Sequence, residues 1–79
     1  MIWCNQEQIG RPFDLYATEV GKILIAYGLK EARTGLPTNE ALADGYAKFE
    51  CLLQNGDPLY RWNKHKVTKL LSMSYKPIK

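Results

Sequence analysis

The side chains with catalytic potential in this sequence are one histidine, two cysteines and scattered hydroxyl groups. Nucleophilic catalysis needs a Ser, Cys or Thr beside a base that a third group orients. The histidine, His65, stands between Lys64 and Lys66 on what we expect to be an exposed helical face, without an acid to orient it. Paired carboxylates and a glycine-rich phosphate loop are also missing from the sequence. We therefore expect a binding protein without a catalytic site, not an enzyme.

Metal and cofactor chemistry is not expected either. A structural zinc ion needs about four Cys or His ligands at close spacing. This chain offers Cys4, Cys51 and His65, which are far apart in the sequence. In a reducing compartment the two cysteines are expected to be buried thiols rather than a disulfide.

Positive charge is concentrated at the C-terminal end of the chain. The net charge is +3, yet residues 58–79 carry six Lys or Arg and no Asp or Glu, whereas residues 1–57 carry five basic and eight acidic residues. A basic concentration of this kind is typical of surfaces that neutralise phosphates, although it can also be a solvated face or a docking surface for an acidic protein. We predict that the contacts to nucleic acid or to a partner come from Lys48, Arg61, Lys64, His65, Lys66, Lys69 and Lys76.

Two aromatic residues, Tyr60 and Trp62, alternate with Arg61 in this region. An exposed ring at such a position could pack against a sugar or an unpaired base. The alternative is that the rings belong to the core, because a small core needs large side chains. We expect at least one of the two to be a core residue.

The first element predicted with a clear pattern is a helix that begins at residue 15 or 19 and ends at 27. Its core-facing stripe is formed by Val20, Ile23, Leu24 and Tyr27. Thr18 is expected to cap this helix, and Gly28 to take a left-handed conformation after it. A second, short helix is expected over residues 39–44, with Thr38 as its cap.

Alternating apolar and polar residues predict a β-hairpin near residues 47–62. Its first strand presents one apolar face, formed by Ala47, Phe49, Cys51 and Leu53. The turn is expected at residues 55–58, where Asn, Gly, Asp and Pro follow one another.

A final helix is expected after Asn63, which can cap it, and it should end near Ser74 because Pro77 cannot continue it. Its buried stripe is Val67, Leu70 and Leu71, and its other side carries His65, Lys66, Lys69 and Ser72. The order helix, short helix, hairpin, helix predicts an α+β fold of winged-helix-like architecture.

A chain of 79 residues supports one domain. We expect residues 1–12 to form an N-terminal arm or edge strand, residues 13–74 the globular core and residues 75–79 a basic tail. The longest apolar run, residues 23–27, is far too short to cross a bilayer, so no membrane attachment is expected. The first eight residues lack the features of a secretory signal, so we expect a cytoplasmic protein.

Three segments resemble one family of regulatory proteins. Residues 17–24 are similar to the T-E-[IV]-G-K-x-L opening of helix-turn-helix segments in phage antirepressor-type proteins. Residues 35–45 are similar to a G-x-P-T-x-x-A-x-x-x-G segment of their C-terminal domains, and residues 60–71 resemble the closing strand and helix. Together the segments cover residues 17–71, and the resemblance implies a DNA-binding helix-turn-helix or winged-helix domain.

The sequence departs from a usual helix-turn-helix between its first two helices. Residues 28–37 make a longer connection than the three or four residues normally found there. Residues 39–44 are also short, and Glu40 and Asp44 would repel phosphates. The hairpin and the final helix are therefore the expected sites of nucleic-acid contact.

These observations lead to three hypotheses. The first is a phage or mobile-element regulator that binds double-stranded DNA mainly through its backbone, with a homodimer as a further expectation. The second is a phage-type inhibitor, without enzymatic activity, that binds an acidic host protein in a nucleic-acid-processing complex. The third is an architectural subunit whose N-terminal Ile2 and Trp3 add a strand to the sheet of a partner.

Overall fold

Eight elements follow one another along residues 2–74, which are the residues described in this computed structural model. They are strand β1 (Trp3–Cys4), helix α1 (Gln6–Gly10), a 3-10 turn (Arg11–Phe13), helices α2 (Ala17–Ala26) and α3 (Asn39–Ala43), strands β2 (Ala47–Leu52) and β3 (Pro58–Asn63), and helix α4 (Lys64–Ser74). The predicted α+β order from α2 onward is confirmed. The elements before α2 were only partly predicted, since residues 1–12 were expected to form an arm or edge strand.

Helix α1 was not predicted, although its capping signal is present in the sequence. The side chain of Asn5 accepts the backbone N–H of Gln8 at 2.8 Å, and the side chain of Gln8 accepts the N–H of Asn5 at 3.0 Å. This reciprocal capping box satisfies two donors at the start of a helix that is only five residues long. Ile9 anchors the helix in the core with 1% of its surface exposed.

Gly10, at the end of α1, allows the chain to pack closely against α2. A methyl group at this position would lie 2.7 Å from the carbonyl oxygen of Leu15 and 2.7 Å from a methyl carbon of Val20. Both distances are too short for a real side chain, so only glycine fits here without displacing the backbone.

Helix α2 begins at Ala17, one residue before its predicted cap, Thr18. Its N-cap residue is Tyr16, not Thr18, because the Glu19 carboxylate reaches back and accepts the Tyr16 backbone N–H at 2.8 Å. Thr18 therefore lies inside the first turn. At the other end, Gly28 has a φ of 76°, which confirms the predicted left-handed residue after the helix.

The long connection between α2 and α3 closes on itself. Thr38 donates its backbone N–H to the carbonyl of Leu29 at 3.0 Å and its hydroxyl to the carbonyl of Gly28 at 2.9 Å. Thr38 also caps α3, as predicted, by accepting the N–H of Ala41 at 3.1 Å. Residues 30–37 thus form an excursion whose two ends meet, and the end of α2 lies beside the start of α3.

A partly buried polar contact ties α1 to this connection. The Lys30 ammonium donates to the Gln6 side-chain oxygen at 2.7 Å, and the Gln6 amide nitrogen donates to the carbonyl of Ala17 at 2.7 Å. Partial burial lowers the pKa of Lys30 from its ordinary value, because desolvation penalises the charged form. The three residues join α1, the start of α2 and the base of the excursion.

The three strands form one antiparallel sheet in the order β1-β3-β2. In the middle of the sheet, Trp62 of β3 is paired with Cys4 of β1 and with Ala47 of β2, and all three are buried. This face of the sheet, together with the helices, encloses the core. The β-hairpin is confirmed, and the N-terminal edge strand is present over two residues.

The core is assembled from every part of the described chain. Its buried apolar residues are Cys4, Ile9, Phe13, Val20, Leu24, Leu29, Ala41, Ala47, Trp62, Val67 and Leu71. The core therefore extends into the N-terminal segment. On α4 the predicted buried stripe is present, with Val67 and Leu71 fully enclosed and Leu70 packed at the margin.

The predicted apolar face of β2 is wrong beyond its first residue. Phe49 and Leu53, which were assigned to this face, have 52% and 45% of their surfaces exposed, and Cys51 is exposed as well. Leu52, from the alternate positions of the strand, is 65% exposed. Only Ala47 lies over the core, so within residues 2–74 no element covers the outer half of the hairpin. The expected buried thiol is accordingly found at Cys4 but not at Cys51.

Candidate binding surface

Two positively charged side chains and an aromatic ring lie on the sheet face that points away from the core. Because side chains alternate along a strand, the neighbours of the buried Cys4, Ala47 and Trp62 face the other way. These neighbours are Trp3 on β1, Lys48 on β2 and Arg61 on β3, which we call the sheet-face cluster. The three residues come from three different strands, and Trp3, which is paired with Asn63, lies diagonally across from Arg61.

The two cations of the sheet-face cluster are direct cross-strand partners. Lys48 is paired with Arg61 in the register of β2 and β3. Like charges placed directly opposite each other in a sheet are destabilising. The Lys48 ammonium lies 5.2 Å from the centre of the Trp3 ring, which is a cation–π contact. The Arg61 guanidinium makes no hydrogen bond or ion pair with any other residue in the described part of the chain.

A second group of basic side chains lies on α4, and Asn63 fixes where this helix begins. The Asn63 side-chain oxygen accepts the N–H of Lys66 at 3.2 Å, which confirms the predicted cap, and its amide donates to the carbonyl of Gly45 at 3.1 Å. Lys64, His65 and Lys69 are exposed on this helix, and we call them the helix cluster. His65 and Lys69 are one helical turn apart and lie opposite the buried stripe.

Lys66 differs from its neighbours on α4, because its ammonium already contacts this chain. It donates a hydrogen bond to the carbonyl of Asp44, just after the last residue of α3. The same ammonium lies 5.2 Å from the centre of the Tyr46 ring. A cation is favourable at the C-terminal end of a helix, so Lys66 has a structural task there. The seventh predicted contact, Lys76, lies outside the described residues.

The positive charge of both clusters is not neutralised within the described chain. Over residues 2–74, the one salt bridge joins Arg11 to Glu7 at 3.4 Å, and it lies in α1 and the turn after it. None of the predicted binding residues in this range is paired with a carboxylate. The structure thus brings Lys48 and Arg61 together on the sheet and Lys64, His65 and Lys69 together on α4.

Comparison of this chain with protein-family models, curated proteins and solved structures finds no match. Its function must therefore be inferred from its own residues. In residues 2–74 no helix is both long and apolar enough to cross a membrane. Across the same residues, no three side chains among His, Cys, Asp and Glu are grouped so that they could hold a metal ion.

The aromatic residue of the basic surface is not one of the two that the sequence suggested. Trp62 is a core residue with 4% of its surface exposed, which confirms that at least one of the pair serves the core. Tyr60 packs edge-on against Phe49, with ring centres 5.7 Å apart. Trp3 instead contacts the basic side chains. A strand of two residues is too short to show alternation, so its sequence carried no signal for this position.

Proposed function

We propose that this chain is a small DNA-binding regulatory protein of winged-helix-like organisation that contacts phosphates through the hairpin and α4. The observation that carries the proposal is the set of five side chains in the two basic clusters, none of which is paired with a carboxylate in residues 2–74: Lys48, Arg61, Lys64, His65 and Lys69. Each Lys or Arg that contacts a phosphate releases condensed counterions and adds salt-sensitive affinity.

The closed excursion between α2 and α3 supports the helix-turn-helix part of this proposal. Since Thr38 bonds back to Gly28 and Leu29, the effective connection between the two helices is much shorter than the sequence suggests. Short connections of this kind join the helices of helix-turn-helix domains. Helix α3 itself exposes Glu40, so the phosphate contacts are assigned to the hairpin and α4.

The test is the salt dependence of binding to a random-sequence DNA duplex, measured by fluorescence anisotropy. We expect affinity to fall steeply between low and moderate salt. The variant Lys64→Ala/Lys69→Ala should reduce the slope of log K against log salt by about 1.8, because each phosphate contact contributes about 0.9. Lys66 is left intact, since its replacement would also disturb Asp44 and Tyr46.

The matched control is Lys22→Ala/Arg33→Ala, which removes the same net charge from two exposed positions on α2 and the excursion. If contacts rather than overall charge matter, this control keeps the wild-type slope. Binding that does not depend on salt, or equal slopes in the two double variants, would contradict the proposal.

A second function, an inhibitor that binds a host nucleic-acid-processing protein, is favoured by a different observation. The outer half of the hairpin exposes three large apolar side chains, Phe49, Leu52 and Leu53. Contiguous exposed apolar surface marks sites of protein interaction. A gel shift separates the two functions: an inhibitor leaves free duplex unshifted at every salt concentration, and Leu52→Asn then weakens its complex with the host protein.

A further inference from the structure

We infer that the sheet-face cluster binds single-stranded nucleic acid, with an unpaired base stacked on Trp3 and the adjoining phosphate held by Lys48 and Arg61. This inference rests on the proposed nucleic-acid function, and it assigns a ligand to one part of the proposed surface. It names Trp3 as a binding residue, a role that differs from that of the buried Trp62.

The first observation is the position of Trp3 on an edge strand of the sheet, on the face that carries Lys48 and Arg61. Trp3 is half-buried on the edge strand β1, whereas Trp62, on the opposite face, is enclosed in the core. Lys48 is exposed and Arg61 is half-buried on the same face as Trp3. A ligand on this face can thus reach a large aromatic ring and two cations at once.

The second observation is the unneutralised pair of cations beside the ring. Lys48 and Arg61 are direct cross-strand partners, and neither forms an ion pair within residues 2–74. A phosphate bound between them removes the repulsion, because it supplies the negative charge that the described chain does not. Arg can contact a phosphate through two parallel N–H groups, so the pair offers both charge and geometry.

The third observation is that Lys48 now covers Trp3 through a cation–π contact at 5.2 Å. An exposed contact of this kind is weak, and a charge-assisted hydrogen bond to phosphate is stronger. When a nucleotide arrives, the ammonium of Lys48 can leave the ring for the phosphate. The ring face that it vacates is then available to the base attached to that same phosphate.

The requirement for an open ring face selects an unpaired base. In a duplex each base is stacked between its neighbours, so its faces are not accessible to a side chain lying on a sheet. In a single strand the bases can be separated and stacked on aromatic side chains, and every base offers such a face. The sheet-face cluster therefore fits a single strand without a marked sequence preference.

The experiment measures how tightly the full chain binds two ligands of equal length: a fluorescein-labelled oligo(dT) of ten nucleotides and a DNA duplex. We expect Trp3→Ala to weaken oligo(dT) binding between about 5-fold and about 150-fold, the range expected for loss of one stacked base, and to change duplex affinity less than about 2-fold. Trp3→Phe keeps a ring and should restore most of the affinity. Tyr16→Ala, which removes an aromatic side chain with 79% of its surface exposed, is the matched control and should bind as wild type.

Tryptophan emission provides a readout that does not depend on how well Trp3→Ala folds. Unlabelled oligo(dT) should quench the emission of the wild-type protein, and this quenching should be lost in Trp3→Phe, where only Trp62 emits. The inference would be overturned by undiminished quenching in Trp3→Phe, or by wild-type affinity of a folded Trp3→Ala for oligo(dT). Salt-dependent binding to the duplex would still support the proposed function in that case. If neither ligand binds, the proposed function itself fails.

Discussion

Replacing Asn63 should show that the buried hydrogen bonds at the junction between β3 and α4 stabilise the fold more than surface hydrogen bonds do. Asn63 has 1% of its surface exposed, caps α4 through Lys66, and donates to the carbonyl of Gly45. Asn63→Ala removes the cap, which costs about 1 kcal/mol. It also leaves the Gly45 carbonyl without this donor, which costs about 1–2 kcal/mol. The expected loss of about 2–3 kcal/mol is large against the roughly 4–12 kcal/mol total expected for this length.

The assay is urea unfolding followed by far-UV circular dichroism, with Asn55→Ala as the matched control. Asn55 bonds to Asp57 at 3.0 and 3.1 Å in the hairpin turn, but it is exposed, so its loss should cost less than about 0.5 kcal/mol. Asn63→Asp keeps a capping oxygen and loses the donor to Gly45, so it should fall between the wild type and Asn63→Ala. If Asn63→Ala and Asn55→Ala lower the free energy of unfolding equally, the reasoning from burial is refuted.

Two further predictions concern the packing of α1. Because burial lowers the pKa of Lys30, the native state loses this proton at a lower pH than the unfolded chain does. The free energy of unfolding should therefore rise with pH in the alkaline range below 10.5, the ordinary pKa of this side chain. Urea titrations should show this alkaline rise in the wild type and not in Lys30→Met, and parallel pH curves would contradict it. Gly10→Ala should lower the free energy of unfolding by about 1–3 kcal/mol, because the added methyl would lie 2.7 Å from a backbone oxygen of Leu15. A fully stable variant would mean that α1 can shift away from α2 at little cost.

Local signals in the sequence predicted most of the elements from α2 onward. Val20, Ile23 and Leu24 of the predicted stripe face the core and Gly28 follows α2, whereas Tyr27, the fourth residue of that stripe, is the C-cap and has 44% of its surface exposed. Thr38 and Asn63 both cap the helices that follow them. These features depend on neighbours within four residues, and so they can be read from a single sequence. The start of α2 was misplaced because Glu19 caps Tyr16 from inside the helix, which leaves Thr18 without a capping role.

The misjudged features depend on contacts between distant parts of the chain. The apolar alternation of β2 predicts a buried face, but burial also requires an element to cover that face, and among the described elements none covers its outer half. Helix α1 is five residues long and owes its place to packing against α2 as much as to its capping box. At the candidate site, composition predicted the basic residues. It could not show that Lys66 is engaged by Asp44 and Tyr46 or that Trp3 lies beside Lys48.

Because hydrogen bonds close the base of the excursion, its length can change without moving the helices that it connects. Thr38 holds the chain against Gly28 and Leu29 whatever lies between, and lengthening a closed loop costs little, about 0.6 kcal/mol for each doubling. Residues 31–36 are therefore a natural place for insertions during evolution, and for a fluorophore or an affinity tag in the laboratory, provided that Lys30 keeps its bond to Gln6.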